Sequence, residues 1–174
     1  MLRSSDGPPG FRDYVAARQT ALIRGAYLLT GDWHAAEDLV QAALVRVWPH
    51  WARITRDRAD PDAYVRRVLV NQFISGRRRR WRDEYPAEDL PDVPQAVDLF
   101  ANADLKANLH ILLVKLPPRQ RAVLVLRFYY DLTEAATADT LGCTVGTVKS
   151  QTAKAMARLR AASAADGMER SHDG

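Results

Sequence analysis

The sequence predicts an all-α protein: two small helical domains joined by an acidic, proline-containing linker, the second domain holding a helix-turn-helix. Apolar residues recur at three- and four-residue intervals through most of the chain, and nothing alternates for long in the manner of a strand. The stretch "RDEYPAEDLPDVPQAVD" breaks that rhythm with acidic residues and three prolines. Near the C-terminus, "ADTLGCTVGTVKSQTAKAMARLRA" reads as a helix, a glycine turn and a polar-faced helix. The expected boundaries are residues 11–81 for the first domain, 82–103 for the linker, 104–162 for the second domain and 163–174 for a flexible tail.

The elements follow in order. Phe11, Val15, Leu22, Ile23, Tyr27 and Leu28 have helical spacing over residues 11–29, with Gly31 as the stop. Asp32 is placed to cap a second helix, whose apolar stripe is Leu39, Val40, Ala43, Leu44, Val47 and Trp48. Pro49 lacks a backbone donor and should end or kink it. "RITRDRAD" reads as a charged loop. Asp60-Pro61 then opens a third helix that runs to about Arg80 and buries Val65, Val68, Leu69 and Phe73. Beyond the linker, Leu105, Leu109, Leu112 and Leu116 form a stripe. "LPPRQR" breaks that helix and starts another through Val123, Leu126 and Tyr129. A short helix over about Thr133 to Leu141, a turn at Gly142 and a last helix from about Val145 to Ala162 complete the chain.

Composition narrows the function. The chain has 174 residues, is 47% hydrophobic and carries a net charge of +4, compatible with a polyanionic partner. Its one cysteine, Cys143, excludes an intramolecular disulfide and a multi-cysteine metal site, and reads as a packing residue in the turn. His34, His50, His110 and His172 show no ligand spacing, so no metal and no cofactor is expected. "MLRSSDGPPG" has no apolar leader region and no run reaches membrane-spanning length, which predicts a cytoplasmic protein without membrane insertion.

Two basic segments and one acidic helix stand out. In the last helix Val145, Val148, Thr152, Ala155, Met156 and Leu159 share a face that can pack on Leu132, Ala136 and Leu141. The opposite face offers Thr147, Lys149, Ser150, Gln151, Lys154 and Arg158. Such a helix either reads a major groove or is simply a solvated basic surface. In the third helix Arg66, Arg67, Asn71, Ser75 and Arg78 lie opposite the apolar stripe, and "GRRRRWR" extends the charge. Arginines can hold phosphates there, Asn71 can make specific polar contacts and Trp81 can stack on a base; cations at a helix C-terminus are also favoured by the dipole. The second helix exposes Asp32, Glu37, Asp38 and Gln41. Acid beside a basic DNA-reading surface suits a protein partner, and equally suits the first turn of a helix.

These segments together resemble the extracytoplasmic-function (ECF) sigma factors, the two-domain branch of the sigma-70 family, over about residues 11–162. "GDWHAAEDLVQAALVRVW" is similar to region 2.2 of that family, and "DPDAYVRRVLVNQFISGRRRR" to regions 2.3 and 2.4. "LPPRQRAVLVLRFYYDLT" and "LGCTVGTVKSQTAKAMARLR" are similar to region 4. The resemblance implies a transcription initiation factor, not an enzyme, that binds core RNA polymerase through its β′ clamp and β flap and reads promoter DNA. An anti-sigma factor is a common partner. By motif position, Asp32, Glu37, Asp38 and Gln41 would meet the polymerase. Arg66, Arg67, Asn71 and Arg78 would meet the opened −10 strand, with "RITRDRAD" holding a flipped base. Thr147, Lys149, Ser150, Gln151 and Lys154 would meet the −35 duplex, and the acidic linker would occupy a basic channel. Where many relatives carry aspartate and isoleucine, this chain has Ser75 and Thr137. The rival readings are a stand-alone helix-turn-helix regulator, which would bind duplex tightly without polymerase, and a nucleic-acid-processing enzyme, which would need a carboxylate or metal constellation.

Overall fold

The computed structural model describes residues 7–84 and 103–170, with side chains over 7–76 and 109–165. Helices are α1 (Phe11–Thr30), α2 (Trp33–Val47), α3 (Trp51–Arg56), α4 (Pro61–Glu84), α5 (Ala103–Val114), α6 (Pro118–Leu124), α7 (Glu134–Leu141) and α8 (Val145–Arg170). A 3₁₀ turn at Trp48–His50 joins α2 to α3, and a π turn at Val125–Tyr129 ends α6. No strand occurs among the described residues. The expected linker falls largely on residues 85–102, outside the described residues, and the side chains of Arg78, Trp81 and Leu105 lie outside them as well.

Local chemistry explains the helix ends. Gly31 stops α1 in the left-handed region at φ +73°, its N–H donating to the Tyr27 carbonyl. The Asp32 carboxylate accepts from the Ala35 N–H at 2.8 Å and so starts α2. Asp60 accepts from the Asp62 N–H at 3.0 Å, with Pro61 at the first helical position of α4. Thr133 caps α7 through the Ala136 N–H at 3.0 Å. Gly142, at φ +64°, ends it.

Several expectations are corrected. Trp48 is 41% exposed and leaves the α2 stripe. Pro49 tightens the chain to a 3₁₀ turn there, and the changed angle per residue rotates the indole outward. Residues 53–56 of "RITRDRAD" are helical, belonging to α3, because Trp51 and Ile54 bury one turn apart. In α4 the buried set is Val65, Leu69, Val70 and Phe73; Val68 is only partly covered. Helix α4 packs against α2 on one side and against α6 and α7 on another, so its buried arc is wider than a single stripe. Val145 is exposed rather than packed. Helix α8 continues to Arg170, through residues expected to form the tail; "AASAA" is made of good helix formers.

The two halves are not held apart by the linker. Helices α1, α2 and α4 pack on one another, α6 and α7 pack on α8, and the groups meet where α1 touches α5 and α4 touches α6 and α7. Buried apolar residues from Phe11 to Leu159 form one cluster. Arg121, 5% exposed, crosses this seam. It donates to the Leu29 carbonyl at the end of α1, and to the Val114 and Leu116 carbonyls at the end of α5, at 2.9 Å each. Its guanidinium also lies 5.4 Å from the Phe73 ring centre. These carbonyls, at helix C-termini, carry partial negative charge that suits the buried cation.

Candidate nucleic-acid interface

The helix-turn-helix is built from α7, the Gly142 turn and α8. Thr144 starts α8 by accepting from the Thr147 N–H at 3.1 Å, and the two hydroxyls lie 2.9 Å apart. Val148, Ala155, Met156 and Leu159 bury the inner face. That leaves Lys149 and Ser150 exposed near the N-terminal end of α8, with Thr147, Gln151 and Lys154 half-buried beside them. Lys149 lies 3.8 Å from the Glu134 carboxylate of α7. An N-terminal turn that projects hydroxyl, amide and ammonium groups can meet base edges and phosphates. Thr137, on α7, is fully buried, and its hydroxyl has no hydrogen-bond partner among the described residues.

The second basic surface is arranged differently. Arg66, Arg67 and Asn71 share one face of α4, and contacts from the other half of the chain occupy all three. Arg67 donates to the Asp139 carbonyl at 2.6 Å and pairs with its carboxylate at 2.9 Å. The Asn71 amide donates to the Thr140 carbonyl at 3.1 Å. The Arg66 guanidinium sits 5.3 Å from the Tyr130 ring centre. Ser75, one turn beyond Asn71, is exposed.

Tyr130 is a residue that motif reading missed. The π turn delivers it to α1, against Gly25. A Cβ at Gly25 would lie 2.0 Å from the Tyr130 hydroxyl oxygen and 2.9 Å from Cζ, so only glycine leaves room for the ring in this position. Burial pushes the Tyr130 phenol up to about 12, with Tyr129 and Asp62 adding to the rise and Arg66 opposing it. The sequence signal was a glycine in the interior of an otherwise regular helix, a position that disfavours the helix unless packing requires it.

On α2, Glu37, Asp38 and Gln41 are exposed together, while Asp32 is engaged in capping. Gln41 borders a shallow apolar groove lined by Phe11, Val15, Leu44, Val45 and Trp48. Val45 is 71% exposed, so this surface presents both carboxylates and apolar area. Among the described residues no cluster of His, Cys, Asp and Glu could hold a metal ion, and no helix is long and apolar enough to cross a membrane.

Comparison with known proteins matches both halves. Residues 14–83 match Sigma-70 region 2, and residues 112–161 match Sigma-70, region 4. The chain is 43% identical over 150 residues to the RNA polymerase sigma-E factor of Streptomyces avermitilis, covering 86% of this chain and 83% of that one. It is 33% identical to the ECF RNA polymerase sigma factor SigL of Mycobacterium tuberculosis, covering 84% and 91%. Among solved structures, the sigma factor RpoE in complex with the anti-sigma factor NepR from Bartonella quintana has a TM-score of 0.60 at 25% identity, covering 88% of this chain and 96% of that one. CnrH in complex with the cytosolic domain of CnrY has a TM-score of 0.58 at 26% identity, covering 93% and 92%.

Proposed function

Since the chain belongs to the ECF branch of the sigma-70 family of RNA polymerase sigma factors, we propose a division of labour among its three surfaces. The protein is a transcription initiation factor that directs RNA polymerase to promoters. Glu37, Asp38 and Gln41 contact core polymerase, where exposed carboxylates beside apolar Val45 and Trp48 offer both steering and burial. Asp32 contributes there mainly by fixing the start of α2. Arg66, Arg67 and Asn71, with Arg78, take the opened −10 strand. Arginines hold the backbone and Asn71 selects a base. Thr147, Lys149, Ser150, Gln151 and Lys154 read the −35 duplex from the first turns of α8.

The observation that carries this reading is the exposed N-terminal end of α8 on a region 4 domain, in one chain with an acidic, partly apolar α2 on a region 2 domain. Catalysis belongs to the polymerase, so the factor acts in the cytoplasm without chemistry of its own. An anti-sigma factor is a further partner, supported by the complex in which the RpoE relative was solved.

Run-off transcription with core polymerase and genomic promoter fragments tests the assignment. Asn71→Ala should reorder a panel of −10 variants, a base-specific contact being worth about 1–3 kcal/mol. Arg67→Ala should lower open-complex formation about equally on all of them. Identical patterns for the two variants would sink the division of roles. Tight duplex binding by the chain alone, with no dependence on core enzyme, would favour a stand-alone regulator.

A further inference from the structure

We propose that residues 7–10, Gly-Pro-Pro-Gly, form a strap that positions the Trp48 indole for polymerase binding, so that the ring stands at the edge of the α2 surface as an anchor for an apolar side chain of core polymerase. The inference rests on the assignment of the α2 surface, through Glu37, Asp38 and Gln41, to core polymerase.

The strap is fixed through its backbone. Pro8 and Pro9 have no N–H to satisfy, and both of their carbonyls are engaged. The Phe11 N–H donates to the Pro8 carbonyl at 3.1 Å, and the Trp51 indole N–H donates to the Pro9 carbonyl at 3.1 Å. Trp51 is 3% exposed, so this bond fastens the strap to the core across 42 residues. Gly7 then lies against the six-membered edge of the Trp48 indole. A Cβ at Gly7 would stand 1.7 Å from Cη2 and 2.4 Å from Cζ3, so any larger residue displaces the ring. Phe11 meets the same ring edge-on, with centres 5.0 Å apart.

The ring so held is not covered: Trp48 remains 41% exposed. It borders the groove lined by Val15, Gln41, Leu44 and Val45, and Gln41 belongs to the assigned contact. A partner drawn in by the Glu37 and Asp38 carboxylates therefore meets apolar area at Trp48. Tryptophan is among the residues that carry most of the free energy of an interface. A ring fixed before binding loses little freedom on binding, whereas a loose one must be ordered at that moment. The strap thus acts on affinity through Trp48.

The test measures the affinity of the full chain for core polymerase, together with the thermal midpoint of the free chain. Gly7→Ala places a methyl group where the indole stands, and should weaken core binding about fivefold. The thermal midpoint should stay at the wild-type value, since the displaced ring is an exposed one. Trp48→Ala should weaken binding about tenfold or more. In the Trp48→Ala background Gly7→Ala should cost nothing further, because the strap has no ring left to position. Wild-type affinity in Gly7→Ala would overturn the proposal, and so would an equal loss from Gly7→Ala with and without Trp48. A lower thermal midpoint in Gly7→Ala, matching its loss of affinity, would make the strap a stability element and overturn it as well. Reversing Glu37 and Asp38 to lysine separates the two readings. If that reversal weakens core binding while Gly7→Ala does not, the strap alone is refuted; if the reversal has no effect, the assignment of α2 is at fault.

Discussion

Arg67 and Asp139 join the two halves of the protein, the guanidinium donating to the Asp139 carbonyl at 2.6 Å and pairing with its carboxylate at 2.9 Å. The side chains are 46% and 82% exposed, so water screens much of the ion pair. A double-mutant cycle of Arg67→Ala and Asp139→Ala should give a coupling of about 0.2–1 kcal/mol in denaturant melts. It should shrink as salt is raised. A larger, salt-independent coupling would mean that the pair is sealed from solvent.

Arg121 is the opposite case, because it is buried. Arg121→Met removes donors from the Leu29, Val114 and Leu116 carbonyls and leaves them in the seam. Stability should fall by about 3 kcal/mol or more. Arg121→Lys should recover only part of it, since an ammonium lacks the planar fork that spans carbonyls of two helices. Equal melting curves for wild type and Arg121→Met would refute the tie.

Thr137 is fully buried with its hydroxyl unpartnered among the described residues. Thr137→Val keeps the shape and removes the buried polar atom. It should raise stability by about 1 kcal/mol, seen as a thermal midpoint about 2–4 °C higher. A lower midpoint would show that the hydroxyl is hydrogen-bonded.

Glu37 and Asp38 are exposed and support no core packing. Reversing both to lysine should weaken holoenzyme assembly about tenfold or more, equivalent to about 1.4 kcal/mol, while circular dichroism stays the same. Unchanged affinity for core polymerase would remove this face from the contact.

Tyr130 sets an alkaline limit on the contact between the two halves. Burial raises its phenol from the usual value near 10 to about 12, so the neutral form is favoured in the closed chain. That contribution is fully present below about pH 10 and is lost as pH climbs through about 12. Near-ultraviolet circular dichroism should show no step from Tyr130 between about pH 6 and 9. Tyr130→Phe should remove the alkaline loss of packing; an alkaline step that persists in that variant would assign the effect to another group.

Features that depend on neighbouring residues were legible in the amino-acid order alone. Asp32, Asp60 and Thr133 bind amides two or three positions on, and Gly31 and Gly142 adopt positive φ where they stand. Such chemistry needs no distant partner, so helix ends and the helix-turn-helix could be read directly, as could the exposure of Glu37, Asp38, Gln41, Lys149 and Ser150. Departures began where a turn or a second packing surface changed the phase: Trp48 swung outward at the 3₁₀ turn, Val70 was buried beside Leu69, and α8 ran on past Ala162. That the two halves close on each other emerged only from the folded chain. Arg67 meets Asp139 across 72 residues, Asn71 meets Thr140 across 69, and Arg121 meets Leu29 across 92. No local propensity encodes a pairing at that separation. A basic, polar helix face satisfies its periodicity equally well against DNA, water or the carbonyl end of another helix, and folding selects the partner that also fills the space over Gly25.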